Sequence, residues 1–566
     1  MHRLFRVSLL VSTLLAAGTV QAHDHSKPTE LKQFGNLPHG SSVAATDADV
    51  ELWEGLGARS FPITTANLEA QRYFDQGLIL AYGFNHREAQ RSFRKAQQLD
   101  PACAMCFWGE ALALGPNINA PMQAAAAGPA LVAIGEAQRL ALKTSDKEQA
   151  LIAALATRYS ADAAADRAAL NLAYADAMRD IAARFPGDLD IAALYAEAIM
   201  NLSPWDYWAD EGRTPKGRTA ELVATLERVL AADPDHIGAI HFYIHTMEAS
   251  DRPERAEPYA DRLTALKLSI GHLVHMPSHI YYRVGRYADS LAANKTAVAA
   301  DEAFLAKVDA EGLYPDAYYP HNIHMLLVSA QMAGDGATAI SAAEKLGKVI
   351  SDEAAREIAW VQPIKAAPLF AHARFSAPET ILALPEPSAG FPYVVAMWRY
   401  ARGIAHAAAG NLDAAKAEAE AIDALAATAD FSGLTGGGVP AIELLRLARH
   451  VVTARIAQAE GNLDAAIREF ETAAEIEGAL PYTEPPFWYY PVRQSLGAAL
   501  LLAGETERAE RIFRASLEAA PNNGWACFGL AEAAERRGET AEAETLRKRL
   551  DRTWAGDPAL LDLKRL

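Results

Sequence analysis

Cysteine is nearly absent: three residues in 566, so disulfides do not hold this chain together. Cys103 and Cys106 stand three apart, the spacing of a local disulfide or a packing pair, and Phe107 occupies the place where covalent haem attachment requires histidine. Positive charge is also short. The net charge is −18, and no basic run resembles a phosphate-binding footprint, so neither nucleic acid nor an anionic membrane is an expected partner. After the first 22 residues no apolar run is long enough to span a bilayer as a helix. A phosphate-cradling glycine loop, a Gly-x-Ser-x-Gly elbow and a Cys-x-x-Cys-His motif are all missing. His241 and His245 lack the glutamate that a helical zinc-protease motif places after its first histidine. The common hydrolase, kinase and dinucleotide-binding classes lose support.

The amino-terminal residues explain themselves. Arg3 and Arg6 precede an apolar run over residues 7–17, and Val20, Gln21 and Ala22 form a small-residue cleavage pattern. Residues 1–22 read as a secretory signal peptide, and the mature chain is expected in a bacterial periplasm. Residues 23–63 are polar and rich in turn formers, an extended arm. Cleavage before His23 would expose His23-Asp24-His25, in which a free amine and a histidine at the third place suit square-planar Cu(II) or Ni(II).

From about Thr64 the apolar spacing is helical. Tyr73, Gly77, Leu80, Ala89, Phe93, Ala96 and Pro101 stand at the places of a helix–turn–helix unit of about 34 residues. Gly77 and Ala89 are small where two helices cross, Phe93 and Ala96 face the neighbouring unit, and Pro101 stops the second helix. Gly461, Ala466, Phe470 and Ala473 repeat the pattern, as do Gly504, Ala509, Phe513 and Pro521. By these residues the chain resembles the tetratricopeptide-repeat superfamily over most of its length. Residues 271–287 and 484–493 look like exported bacterial members of unassigned role. The resemblance implies an all-α superhelical solenoid whose first helices line a concave groove. Six prolines in residues 354–395 break the period and predict an irregular connector between two sub-arrays, 64–353 and 396–566.

Histidine is the unusual presence. Seven of the 16 lie between positions 241 and 324, where an even spread would place about two. Frames opening at Ile237, Gly271 and Pro320 put His241, His275 and His324 fifth, His245 and His279 ninth, and His272 and His321 second. His241, His245 and Glu248 share one face of a helix, being four and seven residues apart. Pro277 belongs in a first helical turn, so His272 is expected ahead of its helix. In the superfamily the second, fifth, ninth and twelfth places look into the groove. By that resemblance His241, His245, Glu248, His272, His275, His279, His321 and His324 face one cavity. Imidazoles from helices ~8–10 Å apart can meet at a common ion, and neutral imidazole with carboxylate suits Zn or Cu ahead of Fe or Ni. Met276 and Met325 follow two of these histidines and tilt the choice slightly towards copper.

Further groove candidates are aromatic. Trp205 and Asp206 lie in an aromatic loop, and Tyr281, Tyr282, Tyr318 and Tyr319 stand beside or just before histidine positions. An insert of 15 residues over the usual period carries Tyr314, Tyr318 and Tyr319 and is expected to cover the inner face. In residues 484–493, Trp488 and Arg493 are further groove candidates, Arg493 as a receiver for an anionic group, with aromatic packing as the alternative for this stretch. Asn85 followed by Glu88 reads as a helix cap. Three functions fit: a periplasmic protein binding a divalent transition metal through groove histidines, a metal-free groove for a peptide or protein, and an enzyme that needs the same metal. An open coordination position beside Tyr281, Tyr282 or the tyrosine insert would permit Lewis-acid or redox work.

Overall fold

A computed structural model describes residues 50–162, 164–308 and 312–566. The proposed signal peptide and His23 and His25 lie outside them. The described chain is an all-α solenoid of paired antiparallel helices, beginning Leu68–Tyr82, His86–Leu99, Ala104–Ala113 and ending Gly524–Arg536, Thr540–Thr553. Its only strands among the described residues are Trp208–Ala209 and Thr214–Pro215, paired antiparallel.

Local chemistry sets the helix ends. Asn67 accepts from the amides of Glu69 and Ala70, and Asn85 from that of Glu88, so both act as N-caps. Ser145 and Glu148 make a reciprocal capping box. Cys103 and Cys106 are joined as a disulfide across the start of the helix Ala104–Ala113.

The repeat is held by one wedge used twice. A Cβ added at Gly77 or Gly109 would lie 2.7 or 2.4 Å from the Phe93 ring. At Gly497 or Gly529 it would lie 2.8 or 2.1 Å from Phe513. In each unit a phenylalanine of the second helix therefore presses between a glycine of its own first helix and one of the next unit. Even a methyl is too large there. Gly529→Ala should cost about 1–3 kcal/mol by overpacking, read as a lower denaturation midpoint, whereas the same change at Gly347, with nothing within 4 Å and no positive φ, lacks this clash.

The residues 50–63 of the predicted arm carry no helix or strand and lie along the repeats. Arg59 pairs with Asp190 at 2.9 Å and Asp233 at 2.7 Å. The irregular connector expected at 354–395 is mostly helical: Val361–Phe375, Pro378–Leu382 and the start of Pro392–Ala408 fall within it. Pro378 and Pro392 stand in the first turns of their helices, where the missing N–H costs nothing, and only Pro368 sits in a helix interior. The apolar interior instead divides nearer the histidines, one cluster running from Val50 to Tyr318 and the other from Tyr287 to Leu566.

The solenoid folds back on itself across that division. The Asn522 side chain donates to the Gly285 carbonyl at 3.2 Å, and the Ala555 amide to the Ala333 carbonyl at 2.8 Å. This closure brings residues 482–489 over the histidine-bearing helices.

Candidate metal centre

Four helices carry the histidines. Ile237–Met247 holds His241 and His245, with Glu248 at its C-cap. The next first helix is broken at Met276 into Gly271–His275 and Pro277–Arg283. Pro277 starts a new helix and His272 precedes it, as expected, in a short helix of its own. His321 and His324 lie in Tyr319–Ala333. All seven are buried, from 0% exposed at His241 and His275 to 7% at His321.

Six of them form two triads. His241, His245 and His272 bring ligand atoms within 4.8 Å of one another, and so do His275, His279 and His321. Each triad takes the fifth and ninth places of one repeat unit and the second place of the next. The His241 and His272 Nε2 atoms are 3.1 Å apart, as are those of His275 and His321. Nε2 of His275 also meets Nε2 of His279 at 2.6 Å.

Some of the opposite ring nitrogens are tied down, whereas Nδ1 of His272 and Nδ1 of His279 make no aligned hydrogen bond. His241 Nδ1 lies 2.5 Å from the Tyr82 carbonyl and donates to it. His275 Nδ1 lies 2.7 Å from Asn294 Oδ1. Asn294 Nδ2 donates to the Ser290 carbonyl at 2.9 Å, so Oδ1 is the atom facing His275, and His275 Nδ1 must donate. A neutral His241 or His275 consequently presents an Nε2 lone pair to its triad. His245 Nδ1 and His279 Nδ1 lie 2.8 and 2.9 Å from the two oxygens of one carboxylate, Glu248. His245 Nε2 is buried without a hydrogen-bond partner.

A third group joins the second triad: Glu248, His279 and Glu484. Glu484 Oε2 is 3.3 Å from His279 Nδ1 and 3.2 Å from His321 Nε2, yet it makes no hydrogen bond. Tyr482 donates to Glu248 at 3.1 Å. Neither Glu484 nor Tyr482 is legible as a site residue in the sequence, because both arrive through the fold-back from more than 150 positions away.

Burial dominates the protonation chemistry. It pushes His241, His272 and His275 well below the usual imidazole value, helped by neighbouring imidazoles, and His321 down to about 4. His245 is lowered by burial despite Glu248. At His279 burial also works downward, but Glu484 and Glu248 outweigh it and raise the ring. Burial raises Glu484 to about 8 against the pull of His279. Burial would raise Glu248 too, but His279 and His245 hold it below the ordinary carboxylate range. The pocket therefore keeps five imidazoles neutral, the form that binds a metal, beside an ionised carboxylate.

His324 is not in either triad. Its Nε2 meets the Tyr489 hydroxyl at 2.8 Å, because the third unit has Val328 at its ninth place and cannot complete a triad. Among the aromatic candidates, Trp205 packs edge-on to His245 at 5.0 Å and Tyr318 lies 4.8 Å from the His272 ring. The tyrosine insert thus covers the centre through Tyr318, as expected. Others point elsewhere: Asp206 pairs with Lys216, Tyr281 donates to Asp261 at 2.8 Å, and Tyr282 packs on Tyr287. Tyr319 donates to Glu302 at 3.0 Å, Trp488 packs between Phe370 and Tyr400, and Arg493 lies near Glu477. Met276 and Met325 are buried.

Residues 500–566 match the tetratricopeptide repeat family model. The match covers the carboxy-terminal end, and the described chain as a whole is an all-α array of paired antiparallel helices. No curated protein matches its sequence. Solved structures similar to it include the human IFIT1 dimer with m7Gppp-AAAA, at 11% identity, covering 87% of this chain and 91% of that one, TM-score 0.30. The Cut9–Hcn1 heterotetramer of APC/C is similar at 13% identity over 88% and 76%, TM-score 0.28. The P58(IPK) TPR domain follows at 14% over 66% and 95%, TM-score 0.19. The ligands and partners named there belong to those proteins.

Proposed function

We propose that this protein is exported to the periplasm and holds a divalent transition metal, Zn or Cu, in the buried histidine centre of its repeat array. One observation carries the reading: imidazole Nε2 atoms converge at 2.6–3.1 Å, although His241 and His275 have already committed their only protons to acceptors behind them. Each contact joins a lone pair of His241 or His275 to a facing ring nitrogen. A cation between them would take lone pairs from both rings, in place of the N–H···N hydrogen bond that an Nε2–H tautomer of the partner makes in its absence. Ligand nitrogens on a tetrahedral ion stand about 3.3 Å apart, so the rings need shift only slightly. Carboxylate and amide acceptors behind the rings are the outer shell that metal-ligating histidines use for orientation. Binding of a peptide against these histidines is disfavoured by the chain's own Tyr482 and Glu484, which already occupy that face.

Elemental analysis of the purified protein, beside a His275→Ala/His279→Ala double variant, tests the reading. Wild type should carry Zn or Cu and the variant clearly less. Equal, negligible metal in both after reconstitution with Zn and Cu would end it.

A further inference from the structure

The two triads are the same object one repeat apart. In the first, a fifth-place imidazole (His241) and a ninth-place one (His245) meet the second-place imidazole of the following unit, His272. In the second, His275, His279 and His321 repeat those three places. The fifth-to-second geometry repeats as well as the places, while the ninth-place ring meets the fifth at 2.6 Å only in the second triad. The fifth-to-second contact is 3.1 Å between Nε2 atoms in both triads, with ring centroids 4.9 Å apart at 81° in one and 4.8 Å at 80° in the other. The fifth-place ring is anchored through Nδ1 in both. Of the ninth-place rings, His245 is hydrogen-bonded through Nδ1 to Glu248, and His279 Nδ1 lies 2.9 Å from the other Glu248 oxygen without an aligned hydrogen bond. Three nitrogens per triad are a full protein ligand set for an ion that keeps one position open. Merging all six around one ion would break this internal symmetry and leave part of the nitrogens unused.

The open positions share an outlet. His245 and His272 of the first triad and His279 and His321 of the second line one cavity of about 50 Å³. By the same measure a water needs about 10–15 Å³, so the space admits a species of about three to five heavy atoms at most and excludes an ordinary metabolite. Rings of the two triads approach within 5.8 Å (His245 and His279) and 6.0 Å (His272 and His275), so a ligand entering there reaches both.

We propose, resting on the metal-binding reading above, that the triads hold two ions one repeat apart and present both to a single small ligand of the size of azide or a diatomic molecule. Glu248 ties the two ions together by orienting a ligand of each. Reconstitution of the full chain with Cu(II), followed by metal counting and azide titration monitored by absorption, is the test. Wild type should bind two ions. His241→Ala and His321→Ala should each bind one, a twofold loss, with melting of each variant by circular dichroism showing that the array still folds. Azide should produce a new charge-transfer band in wild type, with the affinity for azide lowered at least tenfold in either one-ion variant. A single ion in wild type, lost in both variants, would overturn the pairing and leave metal binding intact. No ion in wild type would sink the metal-binding reading itself. Two ions with no azide response would overturn the small-ligand role alone.

Discussion

Stripping the metal with a chelator should loosen the centre of the array while its ends stay folded. Anything that binds only the folded state stabilises it by mass action, by about 4 kcal/mol when the free ion is a thousandfold above its dissociation constant. Without the ion, the interior keeps neutral imidazoles face to face, with Glu248 behind His245 and His279 and Glu484 beside His279 and His321. In a repeat array stability is nearly a local sum, so the loss stays local. Amide hydrogen exchange should accelerate in Ile237–Met247, Gly271–His275, Pro277–Arg283 and Tyr319–Ala333, and little in Gly524–Arg536 or Thr540–Thr553. Readdition of Zn or Cu should restore protection. Uniform acceleration along the chain, or none, would contradict the account. Acid should act in the same direction as the chelator. Protons compete with the ion for imidazole nitrogen, so metal affinity falls as pH falls, first where His279 is raised by its two carboxylate neighbours.

Glu248→Gln is the second large effect. Glu248 is fully buried at a helix C-cap, and its two oxygens stand behind His245 and His279, one ring from each triad. The amide keeps the volume but loses the charge and one of the two acceptors. Loss of an outer-shell carboxylate typically costs 10–100-fold in metal affinity. Here one substitution should weaken metal binding by about that factor with helix content unchanged, as competition against a chromophoric chelator would measure. Unchanged affinity would mean that Glu248 supports packing alone. Glu248→Asp, which restores charge at shorter reach, should recover part of the loss.

Much of this centre is written into the sequence, and the rest fails for identifiable reasons. The recurrence of histidine at the second, fifth and ninth places already contains both triads, because the unit length returns those places to one side of the array. What periodicity cannot say is where a column stops. His324 continues the fifth-place column but has Val328 where its partner would be, so it turns to Tyr489 instead. Tyr281 and Tyr282 follow His279 by two and three residues, about 200° and 300° around the helix, and so contact Asp261 and Tyr287 on other faces. Glu484, Tyr482 and Tyr489 are invisible from local pattern. They reach the histidines only because the carboxy-terminal repeats fold back onto them. The prolines of 354–395 misled in the opposite direction: counted together they signal a break, yet Pro378 and Pro392 sit where helices begin.

Anomalous diffraction at the Zn or Cu absorption edge, from crystals of the reconstituted protein, reaches the central claim most directly. The account predicts strong peaks enclosed by His241, His245 and His272 and by His275, His279 and His321, with metal–nitrogen distances of about 2.0–2.1 Å. Peaks confined to surface carboxylates, with both triads empty, would contradict it.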